Sequence, residues 1–203
     1  VLYDNNTVYR VGRYPCLFRR IRAKRAEIFC FALAEASLIG AREEQQDASR
    51  CCLGEDWIFA VLCDGMGGLP QGAAASQYCA ERLVQALAEL LEAEEAEIPQ
   101  LLKALVRETD GETAALTTGD GAVLGCGTTL VCAFLRQERL YYASVGDSRL
   151  YLIRGTGILQ LNREHNLRSR LIGQGEEGAA AHPQAEALTS YIGLGSGLEI
   201  DCA

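Results

Sequence analysis

The sequence predicts an α+β protein in which antiparallel sheets pack as a sandwich with helices on the outside. Three observations carry this. The apolar segments run in the order strands, two helices, then strands again, without the strict alternation of a doubly wound fold. The later strands are joined by a turn short enough for a hairpin, Arg136-Gln137-Glu138. The chain has 203 residues, 49% of them hydrophobic, which suits one domain with a sizeable core.

Taken in order, Ile28-Phe29-Cys30-Phe31-Ala32-Leu33 reads as a strand, followed by a polar turn over residues 40–47. Trp57 to Cys63 reads as a second, buried strand. Residues 72–95 read as a helix: Cys79, Leu83, Leu87, Leu90 and Leu91 recur on one face, and Glu81, Arg82 and Gln85 lie off it. Its acidic end, Glu92-Ala93-Glu94-Glu95, is a solvated turn. A second helix covers residues 99–115, with Pro99 in its first turn and Leu101, Leu102, Leu105 and Val106 inward. Residues 128–135 and 139–145 then form a hairpin in which Tyr141 and Tyr142 face opposite sides. Gly146-Asp147-Ser148 is a tight turn, residues 149–153 and 157–161 are further strands, and residues 163–187 are a mobile helix-loop excursion.

Composition excludes several classes. A net charge of −8 argues against a general nucleic-acid binder. No apolar run reaches the roughly 18–20 residues that span a bilayer, and the N-terminus lacks the apolar core of a secretory signal. Arg10, Arg13, Arg19, Arg20, Arg22, Lys24 and Arg25 crowd the start, which divides the chain into a basic extension, residues 1–27, and a domain from residue 28. That extension reads as solvated, or as a contact for an acidic partner, anionic lipid or the acidic domain itself. The nine cysteines form no Cys-x-x-Cys pair, and five of them, Cys30, Cys63, Cys79, Cys126 and Cys132, sit in apolar segments, as in a reducing cytoplasm. Neither His165 nor His182 is near the Cys51-Cys52 pair, so zinc is not expected there, and both read as structural or surface residues.

Chemistry concentrates at three acidic turns beside apolar strands. In Phe59-Ala60-Val61-Leu62-Cys63-Asp64-Gly65-Met66-Gly67-Gly68, one carboxylate sits where the strand leaves the core, and the glycines allow a tight turn and close approach to a ligand. A carboxylate and an exposed carbonyl there suit a hard divalent cation. On this stretch alone, an ordinary junction with Asp64 capping the next helix reads equally well. Asp47 and Asp147 occupy the other two turns. Carboxylates that converge repel one another unless a cation lies between them, and Arg42 offers a planar fork for phosphate oxygens.

Six segments, in order, resemble the metal-dependent phosphatases of the protein phosphatase 2C family, bacterial type. They are Arg42-Glu43-Glu44-Gln45-Gln46-Asp47-Ala48, Val61-Leu62-Cys63-Asp64-Gly65-Met66-Gly67-Gly68, Gly127-Thr128-Thr129-Leu130, Ser144-Val145-Gly146-Asp147-Ser148-Arg149, Leu161-Asn162-Arg163-Glu164-His165, and His182-Pro183 with Leu188-Thr189-Ser190-Tyr191-Ile192-Gly193. The resemblance implies a four-layer α/β/β/α sandwich, two central antiparallel sheets flanked by helix pairs. It implies hydrolysis of phosphoserine and phosphothreonine in proteins by a metal-activated water, with two or three Mn²⁺ or Mg²⁺ ions, opposing a cognate Ser/Thr kinase in the cytoplasm. By resemblance, Asp64 bridges two metals, the Gly65 carbonyl binds one, Asp47 holds metal-bound waters, Arg42 binds the substrate phosphate, and Asp147 helps with a third metal. A catalytically weak binding or regulatory module derived from a phosphatase is the alternative.

The departures are specific. Gln45 replaces the family's usual Asn, Gln46 stands where some members have Glu, and Glu164 replaces Asp in an Asp-His pair. Met66 is the bacterial residue where animal members carry His. The family's later Ser-Asp-Gly and Asp-Asn segments do not occur before Ala203, and Asp201 lacks their flanking pattern, so the domain over residues 28–203 is expected to be incomplete at its C-terminal end.

Overall fold

The computed structural model describes residues 32–39, 43–66 and 70–203. Five strands form the body of one antiparallel sheet: β1 (Asp47–Leu53), β2 (Trp57–Met66), β4 (Leu130–Arg136), β5 (Arg139–Val145) and β8 (Asp201–Cys202), in that spatial order. A short strand β3 (Gly127–Thr128) pairs with the end of β2. Strands β6 (Tyr151–Arg154) and β7 (Gly157–Gln160) form a separate antiparallel hairpin. The helices are α1 (Pro70–Gln85), α2 (Leu87–Glu92), α3 (Ile98–Ala114) and α4 (Leu167–Gly173). This is the expected α+β class with antiparallel sheets.

The two-residue period of β-strands sorts side chains onto the two faces of the sheet. Register places Phe59 opposite Phe134 and Phe134 opposite Tyr141; one step along, Val61 faces Cys132 and Cys132 faces Ala143. These rows are buried against Cys79 and Leu83 of α1, Leu90 of α2, and Ile98, Leu102, Leu105 and Val106 of α3. Phe59 and Phe134 meet edge to face at 6.1 Å, a favoured aromatic geometry. The opposite face carries Leu53, Ile58, Leu62, Val131 and Leu135, an apolar area beside the acidic end of β1 and β2. An apolar second face is what a sandwich requires.

Several expected elements are redrawn. The helix over residues 72–95 starts at Pro70 and divides at Ala86, which is 1% exposed. Leu83 and Leu90, seven residues apart and so on one helical face, are both fully buried on either side of the division. The strand over residues 128–135 is interrupted at Thr129, whose backbone and side chain both bind Asp64. Strand β2 continues through Gly65 and Met66 because β3 pairs there, so Asp64 lies inside the strand rather than at its exit. The strand expected to begin at Arg149 begins at Tyr151, since Arg149 and Leu150 are bound by side chains of the following loop. The helix-loop over residues 163–187 is present as α4 and one 3₁₀ turn, tied down by ion pairs of Arg168 with Glu186 and Arg170 with Glu199. Of the strand over residues 28–33, residues 28–31 lie outside the described residues; Ala32 and Leu33 are not in a strand. The basic extension also lies outside.

Candidate active site

Strand pairing brings two of the expected residues together. Asp47 is the first residue of β1, Asp64 lies near the end of β2, and the two are direct cross-strand partners. They share the sheet face opposite the helices, because Ala48 and Cys63, one step away, face the core. Like charges directly opposite one another weaken a sheet by about 0.2–1 kcal/mol. A cation between two such carboxylates would offset that repulsion.

The local backbone explains why these residue types stand here. Gly65 donates its N–H to the Gln46 carbonyl at 3.0 Å. A Cβ on Gly65 would lie 2.3 Å from the Gly72 carbonyl oxygen and 2.7 Å from that of Gln46. Only glycine allows the first turn of α1 to lie this close on the strand. Ser76 of α1 adds a hydrogen bond to the Gln46 carbonyl at 2.6 Å. Gln45 accepts the Asp47 N–H at 3.1 Å, so the Gln that departs from the family pattern keeps a hydrogen-bonding role.

Asp147 sits in the turn after β5, and nearly every neighbour in that turn is anchored. The Gly146 N–H donates to His165 Nδ1 at 3.1 Å, and the His165 N–H donates back to the Gly146 carbonyl at 2.8 Å. Asn162, buried, donates to the Ser148 carbonyl at 2.9 Å and accepts the Leu150 N–H at 2.7 Å. Arg149 pairs with Glu164, and the Arg149 hydrogen bond draws the Glu164 carboxyl below its ordinary range. Ser148 Oγ lies 2.7 Å from Thr129 Oγ1, which also accepts the Asp64 N–H at 3.0 Å. The Asp147 turn and the Asp64 strand end are thus linked through one hydroxyl.

His165 is 2% exposed, and burial lowers its pKa below the ordinary histidine value. With Nδ1 accepting, the neutral ring carries its proton on Nε2, which has no hydrogen-bond partner among the described residues. The structural role expected of His165 is found, in a buried rather than a surface setting.

Arg42 and the glycines at 67 and 68 lie outside the described residues. Asp201 does not join the carboxylates. It pairs with Ser144 on β5, two strands beyond β2, and accepts the Arg163 N–H at 2.8 Å. The oxygen donors of Asp47, Asp64 and Asp147 fit a hard cation in kind. Among the described residues, no group of three or more His, Cys, Asp or Glu comes close enough to hold a metal ion. The sequence marks Thr129, Ser148 and Asn162 only as members of the matching segments; their hydrogen bonds to the acidic strand and turn come from the tertiary structure.

A profile of the Protein phosphatase 2C family matches residues 36–168. The serine/threonine phosphatase stp of Listeria monocytogenes is 35% identical over 149 residues, covering 70% of this chain and 58% of that protein. Protein phosphatase PhpP of Streptococcus pneumoniae is 34% identical over 136 residues, covering 66% of this chain and 55% of that protein. The chain thus spans little more than half the length of these relatives. Among solved structures, serine/threonine phosphatase Stp1 from Staphylococcus aureus superposes with a TM-score of 0.70 at 27% identity, over 81% of this chain and 66% of that one. The serine/threonine phosphatase PstP/Ppp of Mycobacterium tuberculosis gives a TM-score of 0.63 at 29% identity, over 80% of this chain and 67% of that one. Motif order, strand register and these similarities agree: the chain belongs to the protein phosphatase 2C family.

Proposed function

We propose that this domain hydrolyses phosphoserine and phosphothreonine in proteins, in a Mn²⁺- or Mg²⁺-dependent reaction that opposes a cognate Ser/Thr kinase. The observation that carries the reading is the cross-strand pair Asp47–Asp64 on one sheet face, linked through Thr129 and Ser148 to the Asp147 turn. When bound, two or three such ions supply an activated water and neutralise charge on attacking and leaving oxygens.

The chain's own groups then have distinct tasks. Asp64 and the Gly65 carbonyl would hold a cation, Asp47 would hold water bound to it, and Asp147 would help to hold a further one. Arg42 binds the substrate phosphate through its bidentate fork. No nucleophilic side chain is required. Cys51 and Cys132 do not compete for that role: desolvation raises them to about 11 and about 12, so neither is a thiolate at neutral pH.

The proposed layout is a phosphatase domain from residue 28 preceded by a basic extension. The described cysteines are all free, which supports a cytoplasmic setting. No helix among the described residues is long and apolar enough to cross a membrane.

The test is phosphate release from a phosphothreonine peptide with added Mn²⁺, alongside calorimetric Mn²⁺ binding, in the intact protein and in Asp64→Ala. Turnover that needs Mn²⁺ and disappears in Asp64→Ala is the expected result. Neither turnover nor Mn²⁺ binding in the wild type would refute the enzyme and favour a phosphatase-derived binding module.

A further inference from the structure

We propose that Thr129 is the positioning residue that couples the two acidic parts of the site: its hydroxyl sets the strand end carrying Asp64, and its methyl sets the turn carrying Asp147. The functional consequence rests on the phosphatase reading above; the geometry does not.

Thr129 is 2% exposed and stands at the break between β3 and β4. It binds both backbone polar groups of Asp64. Its Oγ1 accepts the Asp64 N–H at 3.0 Å, and its own N–H donates to the Asp64 carbonyl at 2.9 Å. A hydroxyl has one proton and two lone pairs. With one lone pair engaged by Asp64, its proton or its second lone pair meets Ser148 Oγ at 2.7 Å. Ser148 directly follows Asp147, so one hydroxyl reaches from one carboxylate-bearing segment to the other.

The methyl makes a separate contact. A Cβ on Gly146 would lie 2.7 Å from Thr129 Cγ2 and 2.8 Å from Thr129 Cβ. Gly146 has φ +97°, a conformation that favours glycine. The turn therefore rests on the Thr129 side chain from one side, while His165 holds Gly146 through two hydrogen bonds. Thr128 differs in kind. Its hydroxyl also reaches the Asp64 carbonyl, at 3.0 Å, but it bonds to neither Gly146 nor Ser148.

Two substitutions separate the roles. Thr129→Val keeps the methyl and removes the hydroxyl; Thr129→Ser keeps the hydroxyl and removes the methyl. In ¹⁵N-labelled, metal-free intact protein, Thr129→Val should shift the Asp64 amide proton upfield by several linewidths and leave Gly146 in place. Thr129→Ser should do the reverse, and Thr128→Val should leave Gly146 unmoved. Both Thr129 variants should raise the Mn²⁺ concentration for half-maximal p-nitrophenyl phosphate hydrolysis, by about 10-fold or more, the usual effect of losing a partner that orients a metal ligand. The hydrolysis is read below each variant's melting temperature. A lowered Tm with unchanged Mn²⁺ dependence would overturn the inference, as would amide shifts that do not separate between the two variants. If the wild type shows no Mn²⁺-dependent hydrolysis, the phosphatase reading fails, and the amide pattern alone upholds or overturns the coupling.

Discussion

Replacing Asp110 by Ala should cost about 3 kcal/mol of stability, with the damage centred far away in sequence. Asp110 lies on α3, is 5% exposed, and accepts three backbone N–H groups on one oxygen: Gly193 at 2.8 Å, Leu194 at 2.9 Å and Gly195 at 3.4 Å. The third is too long to count fully. Each hydrogen bond to a charged acceptor contributes about 1.5–3 kcal/mol, so the two good ones amount to roughly 3–6 kcal/mol. Leu194 is half-buried, so water replaces part of what is lost, which favours the low end. Asp110→Asn keeps an acceptor oxygen and should lose only about 1 kcal/mol. Urea denaturation of the intact protein reads these differences from the midpoint at constant slope. Hydrogen exchange adds the location: Ile192 bridges Thr128 through two backbone bonds, so both amides should lose protection in Asp110→Ala. Equal losses in Ala and Asn, or a loss below about 1 kcal/mol in Ala, would show that the carboxylate does not hold this loop.

Gly65→Ala should destabilise by about 3 kcal/mol or more, because the new methyl meets backbone of Gly72 and Gln46 rather than a side chain that can move; a Tm within experimental error of wild type would contradict this. The pH dependence has two windows of the same sign. His165 is lowered by burial in the folded state, so the unfolded chain binds more protons once pH falls below about 6.5, and stability declines through the lowered folded value. The Glu164 contribution, held by Arg149, is present above its ordinary value of 4.5 and is lost as pH falls through its depressed one. Stability measured against pH should show the upper window disappear in His165→Asn and the lower one remain. Thiol labelling of the native protein should leave Cys63, Cys79 and Cys132 unmodified, since all are fully buried; rapid labelling of Cys132 would mean that the core opens locally.

The candidate site divides by the range of the interactions that build it. Asp64 was legible because its signal is local: an apolar strand, one carboxylate, then glycines. Gly65 was legible as a turn residue, but its reason is tertiary, the contact with Gly72 across the first turn of α1. Asp47 and Asp147 stood out only as acids beside strands. Their relation to Asp64 needed the β1–β2 register and a hydroxyl 65 residues along the chain. The helix break at Ala86 and the strand break at Thr129 were not legible, because periodicity reports which face is apolar and not where a backbone group finds a better partner.

The amino-acid order by itself determined the α+β class, the helix face that enters the core, and the six ordered motifs of the family. These follow from side-chain periodicity and local turn chemistry, which act over a few residues. The tertiary structure alone decided that Asp47 and Asp64 oppose each other, that Asp201 stands apart, and that Asn162, His165 and Thr129 frame the Asp147 turn. Such long-range pairs form once sheet register is chosen, and register is set by the burial of a whole face at once.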